Sequence, residues 1–114
     1  MKPASHVAVL TCLTALMGCA TLRAAGRPNC DAMTLKLTRG MPQKRVETEL
    51  GPPTTISKSI CGGLGGSKKW ECLNADYKCA SGSYPHTLIV TYQPEDPDSP
   101  SDRWYVNRWE VEVD

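Results

Sequence analysis

Residues 87–92, Thr-Leu-Ile-Val-Thr-Tyr, carry the alternation on which the predicted fold depends. Leu88, Val90 and Tyr92 occupy every second position of this stretch. Successive side chains of a strand point to opposite faces of a sheet, so the pattern predicts a strand that is buried on at least one face.

The sequence on both sides of this stretch, from residue 54 onwards, also has strand-forming patterns. Short runs of β-branched and aromatic residues are separated by clusters of Gly, Ser, Pro and Asp, which is typical of hairpins. Strands are predicted near residues 54–61, 68–73, 87–93 and 103–113. Because the sequence contains no Phe, the core is expected to use aliphatic residues together with Trp70, Trp104, Trp109 and Tyr92.

The last predicted strand contains an irregularity. Residues 109–113, Trp-Glu-Val-Glu-Val, alternate cleanly. Trp104 and Val106 join the apolar face of these residues only if one extra residue intervenes. A β-bulge is therefore predicted near Asn107.

Two short helices are predicted before the first strand. Asp31 is the expected N-cap of a helix that extends to about Thr38, with Met33 and Leu37 on one face and Gly40 as its stop.

The second helix is expected to begin with Pro42 at its first position and to end at Leu50, with Gly51 and Pro52 as its stop. Val46 and Leu50 lie on one stripe of this helix. The predicted fold class is therefore α+β, with two short N-terminal helices packed on a three- to four-stranded antiparallel sheet.

The N-terminal segment predicts export. Lys2 precedes an uncharged apolar run from Val7 to Met17. This run has about eleven residues, whereas a membrane-spanning helix needs about 20. Residues 1–18 are thus predicted to be a signal peptide, residues 19–30 a tether and residues 31–114 the folded domain.

Leu16-Met17-Gly18-Cys19 resembles the lipobox of bacterial lipoproteins. The resemblance implies that Cys19 becomes the acylated N-terminus of the mature protein. Ala20 is not the Asp that retains lipoproteins of this class in the inner membrane, so the expected location is the outer membrane, facing the periplasm. The alternative is an ordinary secretory signal that is cleaved near Ala20 or Ala25.

Charge is balanced overall but not along the chain. The 114 residues include 13 basic and 12 acidic ones, which does not indicate a nucleic-acid-binding protein. Residues 19–78 contain ten basic and five acidic residues, and residues 79–114 contain two and seven. Either the two halves pair within the fold, or the basic half contacts anionic lipid headgroups.

Residues 37–53 resemble the SmpA/OmlA (BamE-like) family of small outer-membrane lipoproteins, whose fold is related to that of β-lactamase-inhibitor proteins. The matching residues are Gly40, Met41, Val46, Leu50, Gly51 and Pro53. The resemblance extends over about 75 residues. It departs from the family at Pro42, which replaces a Ser or Thr cap, at the four cysteines of the domain, and at the insertion formed by residues 94–102.

This resemblance implies a non-enzymatic protein that binds envelope proteins. Its expected partners include the outer-membrane barrel-assembly machinery, and its expected role is support of outer-membrane protein assembly or envelope integrity. The alternative is a lipid-anchored inhibitor or sequestering module for an exported hydrolase of the lysozyme or β-lactamase type.

Four cysteines remain after Cys19 and the signal peptide are set aside, namely Cys30, Cys61, Cys72 and Cys79. In an exported protein an even number of cysteines predicts disulfides, and a zinc site would lack a C-x-x-C knuckle. Three pairings are possible. Cys61–Cys72 with Cys30–Cys79 is preferred because the first bond would clamp a hairpin. Cys30–Cys61 with Cys72–Cys79 is the next choice.

No catalytic, cofactor-binding or metal-ligating residue is predicted. The glycine-rich residues 62–68 do not have the spacing of a phosphate-binding loop and are expected to form a hairpin turn. The acidic residues 95–102 lack the ligand spacing of a calcium loop. His86, the only histidine after the signal peptide, is expected to be an exposed loop residue beside Pro85.

Overall fold

The computed structural model describes residues 26–66, 68–96 and 98–114. Two helices, α1 (Cys30–Thr34) and α2 (Gln43–Leu50), precede four strands. The strands are β1 (Thr55–Gly62), β2 (Lys69–Ser81), β3 (Tyr84–Asp96) and β4 (Ser99–Val113), and a 3₁₀ turn, Leu64–Gly66, follows β1. The predicted signal peptide, the acylated Cys19 and the first part of the tether lie outside the described residues.

The four strands form one antiparallel sheet in the order β1-β2-β3-β4. Each strand pairs with its neighbours in the chain, so the sheet is a meander. Each predicted strand is present, but β2 continues to Ser81 instead of ending near residue 73. The glycine-rich segment after β1 forms the turn between β1 and β2, as predicted.

The predicted arrangement of two helices packed on a sheet is wrong. Helix α1 has only five residues, and α2 is the only helix of seven or more residues in the described part of the chain. An eight-residue helix is about 12 Å long, whereas a thirteen-residue strand such as β2 spans about 40 Å. The helices therefore cover only part of one sheet face, and the protein is mainly an antiparallel sheet. None of the described helices is long and apolar enough to span a membrane.

Helix α1 begins earlier and ends earlier than predicted. Its N-cap is Asn29, whose Oδ1 accepts the amide of Ala32 at 2.9 Å, and not Asp31. Asn29 also forms a β-bridge to Ala80, which fixes the start of the helix on the sheet. After Thr34 the chain continues in tighter turns, which still bury Leu37.

Helix α2 agrees with the sequence except at its first residue. Pro42 has extended backbone angles and occupies the N-cap, so the helix begins at Gln43. Gly51 ends it, as predicted, with a positive φ of 84°, and its amide donates to Glu47 O at 2.9 Å.

The core lies between the helices and one face of β2, β3 and β4. Its fully buried members include Tyr92, Leu88, Val90, Val46 and Val106. Trp104 and Trp109 are partly buried against this cluster. The prediction for Trp70 is wrong, because this side chain lies half-buried beside Gly62 in the β1–β2 hairpin, outside the core cluster.

The predicted bulge is present in β4. Thr91 pairs with Arg108, but the next residue, Tyr92, pairs with Val106, so Asn107 has no partner on β3. Asn107 Nδ2 donates to Gln93 Oε1 at 2.8 Å. The extra residue places the apolar side chains before and after it on the same face.

The sheet divides into two hairpin arms at one end. The pairing of β2 with β3 begins at Leu73 and Tyr92. Residues 69–72 of β2 therefore pair only with β1, and residues 93–96 of β3 pair only with β4. Pro94 has no amide hydrogen to donate. It can lie in β3 because β2 no longer pairs with β3 at this position.

Candidate functional site

Two disulfides brace the fold. Cys30 is bonded to Cys79, with Cα atoms 5.0 Å apart, and Cys61 is bonded to Cys72, with Cα atoms 5.9 Å apart. These are the two bonds preferred from the sequence. The first ties α1 to β2, and the second clamps the β1–β2 hairpin.

A cleft of about 580 Å³ lies between the N-terminal end of α2 and the first part of β4. Backbone hydrogen bonds between the segment before α2 and β4 hold the two sides of the cleft together. Gly40 N donates to Val106 O at 2.7 Å, and Val106 N donates to Met41 O at 2.8 Å. Pro42 bridges to Tyr105. The volume falls within the usual range of ligand-binding clefts.

The lining of the cleft combines an aromatic surface with charges of both signs. Trp104 is half-buried there. The charged side chains are Lys44, Glu47, Asp102 and Arg103. No Ser, Cys or His lines the cleft among the described residues. This composition can contact an apolar group and, at the same time, charged groups of either sign.

Two buried tyrosines lie close to Glu47. Tyr77 donates its hydroxyl proton to Gly51 O at 3.1 Å, so it supports the end of α2. Burial raises the pKa of Tyr77 to about 12, and the negative charge of Glu47 adds to this effect. Burial also raises the pKa of Tyr92, with further contributions from Tyr77 and Glu47.

The Tyr92 hydroxyl is buried, and the described residues offer it no well-oriented hydrogen-bond partner. Tyr77 and Tyr92 are close enough to influence each other's pKa. Even so, no described group meets the Tyr92 hydroxyl at hydrogen-bonding distance and angle. An unsatisfied buried hydroxyl lowers the stability of the fold.

The six residues of the family-like motif take structural positions. Val46 is buried in the core, and Met41 and Leu50 pack against it. Gly40 and Gly51 both have positive φ, 87° and 84°, and so permit the turns on either side of α2. Pro53 is half-buried in the link to β1. The motif therefore positions α2 beside the cleft, while its own side chains do not line the cleft.

The prediction for His86 is wrong. It lies in β3, half-buried, and pairs with Val113 of β4 rather than occupying an exposed loop. Its Nδ1 is 2.9 Å from Tyr84 O. Within the described ranges, no group of three or more His, Cys, Asp or Glu residues has the arrangement of a metal site.

A chain of polar contacts crosses the opposite face of the sheet. Thr91 donates to Asn74 Oδ1 at 2.9 Å, and Asn74 Nδ2 donates to Ser59 Oγ at 2.8 Å. These two hydrogen bonds join β3, β2 and β1. They satisfy the buried hydroxyl of Thr91 and align the three strands.

The described chain begins at the end of the sheet where β4 ends. Arg27 forms an ion pair with Asp114 at 2.7 Å and donates to His86 O at 3.2 Å. The hydrogen bond from Thr87 and the contact with Arg27 lower the pKa of Asp114. These contacts hold the beginning of the described chain against the ends of β3 and β4.

The cleft has no signature in the sequence. Its two sides come from residues 42–47 and 102–105, and no local pattern connects segments so far apart in the chain. Trp104 was expected in the core, and it does pack there in part, but its remaining surface faces the cleft. The two sides are brought together by tertiary contacts, namely the bridge of Pro42 to Tyr105 and the backbone hydrogen bonds of Gly40 and Met41 with Val106.

Comparison with known proteins finds no match. No protein-family model matches the sequence. Neither curated proteins nor solved structures contain a significant match.

Proposed function

We propose that this chain is a non-enzymatic lipoprotein, anchored through Cys19 to the outer membrane and facing the periplasm, which binds other envelope proteins. The apolar run that ends at Cys19 supports the anchor. The two disulfides support export, because structural disulfides persist in oxidising compartments.

The cleft between α2 and β4 carries the binding part of this proposal. Trp104 offers an aromatic surface there, and aromatic and Arg side chains dominate the binding energy of protein interfaces. Lys44, Glu47, Asp102 and Arg103 surround it with two positive and two negative charges. Such a rim favours a partner segment that bears charges of both signs, rather than a polyanion.

The anchor can be tested by mass spectrometry of the purified mature protein. An N-terminal peptide that starts at an acylated Cys19 supports the proposal. A Cys19→Ala variant is the control, since it should lose the acyl chains and leave the membrane fraction. An unmodified N-terminus on soluble protein would contradict the anchor.

The binding surface can be tested by photo-crosslinking in intact cells. A photoreactive amino acid replaces Gln43, which lines the cleft, and in a control replaces Ser57, which is exposed on β1. Crosslinks from position 43 and not from position 57 are expected. Barrel-assembly components among the captured proteins would support a role in outer-membrane protein assembly, whereas a single exported hydrolase would support the inhibitor alternative. Equal capture at both positions would refute the cleft as the binding surface.

A further inference from the structure

Three exposed apolar side chains form a patch at one end of the sheet. Tyr84 is 70% exposed, Val113 is 77% exposed and Val111 is 40% exposed. His86 and Leu88 of β3 pair with Val113 and Val111 of β4. Tyr84 lies two residues before His86, so all three side chains are on one face at the same corner. We call Tyr84, Val111 and Val113 the tether-end patch.

The described chain begins at the same end of the sheet as this patch. Arg27 contacts Asp114, the residue after β4, and the amide of Ala80 donates to Pro28 O at 2.8 Å. Gly26 lies seven positions after Cys19, and an extended chain over this separation reaches at most about 25 Å. An acylated Cys19 therefore keeps Gly26 within about 25 Å of the bilayer surface, and with it the end of the sheet that carries the patch.

We propose that the tether-end patch rests on the phospholipid surface that holds the Cys19 lipid. This inference relies on the acylation of Cys19 in the proposed function, and it goes further by assigning the surface that faces the membrane. Tyrosine suits this position, because its ring is apolar while its hydroxyl remains in contact with water and headgroups.

The tether favours the bilayer over other occupants of the patch. Because the short tether keeps the patch close to the bilayer, the effective concentration of the bilayer at the patch is high. A small apolar area is therefore sufficient for the patch to bind the bilayer. The ion pair of Arg27 with Asp114 lies on the opposite face of the sheet, because Asp114 follows Val113 and its carboxylate accepts from Thr87, so the pair adds no charge to the patch. Glu112 lies between the two valines in sequence and therefore points to the opposite face of the sheet.

The opposite end of the sheet provides a matched control. Leu64 is 87% exposed at the tip of the β1–β2 hairpin, so it is as accessible as Tyr84. The thirteen residues of β2 separate the two ends by about 40 Å. If the patch faces the membrane, Leu64 points away from it.

Depth-dependent fluorescence quenching tests this arrangement on the full mature lipoprotein in phosphatidylethanolamine–phosphatidylglycerol vesicles. A fluorescent amino acid replaces Tyr84 in one sample and Leu64 in the other, and the lipids carry brominated acyl chains. The probe at position 84 should lose about half of its emission, and the probe at position 64 less than about a tenth, because interfacial side chains reach about 5–10 Å into the bilayer boundary. Equal quenching at the two positions would overturn the inference.

A second variant tests the patch itself. Val113→Asp places a charge in the patch without disturbing a buried residue, and it should reduce the quenching at position 84 by about twofold or more. Leu64→Asp should leave that quenching unchanged. Mass spectrometry of the same samples separates the two proposals. Acylated protein with no preference for position 84 overturns the patch alone, whereas protein without acyl chains overturns both the anchor and the patch.

Discussion

Val106 and Trp109 lie on the same face of β4, although they are three positions apart in sequence. In a regular strand, residues three apart point to opposite faces. The two side chains share a face because Asn107 is an extra residue in β4. It has no partner on β3 and lies between the pairs Thr91–Arg108 and Tyr92–Val106. The bulge also places the Asn107 carbonyl where Arg39 Nε donates to it at 2.9 Å.

Deletion of Asn107 is therefore expected to damage the core far more than its replacement by Ala. Without the extra residue, Val106, which is 1% exposed, would turn to the polar face, at a cost of about 3 kcal/mol or more. Asn107→Ala keeps the bulge and loses only the bond to Gln93, which is worth about 1 kcal/mol. Urea unfolding of both variants measures the difference. Similar losses in the two variants would show that the bulge does not set the register.

The sequence predicted this bulge because the alternation on both sides of residue 107 was clear. It also predicted the stop at Gly51, since a glycine followed by proline cannot continue a helix. The second half of β2 was missed, although residues 73–79, Leu-Asn-Ala-Asp-Tyr-Lys-Cys, alternate as cleanly as β3 does. Asn, Ala, Asp and Lys are poor strand formers, so the amino-acid composition of this segment argued against a strand in spite of its alternation. The segment is a strand because it pairs with β1 and β3.

The length of α1 could not be predicted from local pattern. Met33 and Leu37 have helical spacing and are both buried, yet Leu37 reaches the core from a turn. The helix is held at its start by the bond between Cys30 and Cys79, and its path is then set by the pairing of Gly40 and Met41 with Val106. Both constraints depend on residues far away in the sequence, as do the two sides of the cleft.

The two disulfides should differ in their contribution to stability. The Cys30–Cys79 bond closes a loop with a sequence separation of 49, and the Cys61–Cys72 bond closes one of 11. In the chain-entropy model these loops correspond to about 4 and about 3 kcal/mol. The variant Cys30→Ala/Cys79→Ala is expected to lose more stability than Cys61→Ala/Cys72→Ala. Guanidinium unfolding of both double variants without reductant measures this order, and the reverse order would contradict it.

Gly51 is expected to tolerate no side chain even though space is available. A Cβ at this position would meet nothing within 4 Å, but the backbone has φ 84° and ψ −176°, a region adopted almost only by glycine. Gly51→Ala should therefore lower the free energy of unfolding by about 1–3 kcal/mol. Gly26→Ala is the matched control, because that position is equally open and has no positive φ. Equal melting temperatures for the two variants would exclude backbone strain as the cause.

The two buried tyrosines should respond differently to loss of their hydroxyls. Tyr77→Phe removes the bond to Gly51 O and should cost about 1 kcal/mol. Tyr92→Phe removes a buried hydroxyl that has no described partner, so stability should stay within about 0.5 kcal/mol or rise. Urea unfolding at neutral pH compares the two, and a larger loss for Tyr92→Phe would show that its hydroxyl has a partner in solution.

The same pair should control stability at alkaline pH. In the fold the pKa of Tyr77 is raised from 10.0 to about 12, and that of Tyr92 is raised as well. Above pH 10 the unfolded chain therefore releases protons that the folded chain keeps, so the stabilisation present below pH 10 declines as the pH rises towards 12. Tyr77→Phe should reduce the slope of the free energy of unfolding against pH between 10 and 12, and the double variant with Tyr92→Phe should reduce it further. Denaturant unfolding at several pH values in this range measures the slope. If the slope in the double variant equalled that of the unmodified protein, the alkaline loss would have to come from other groups.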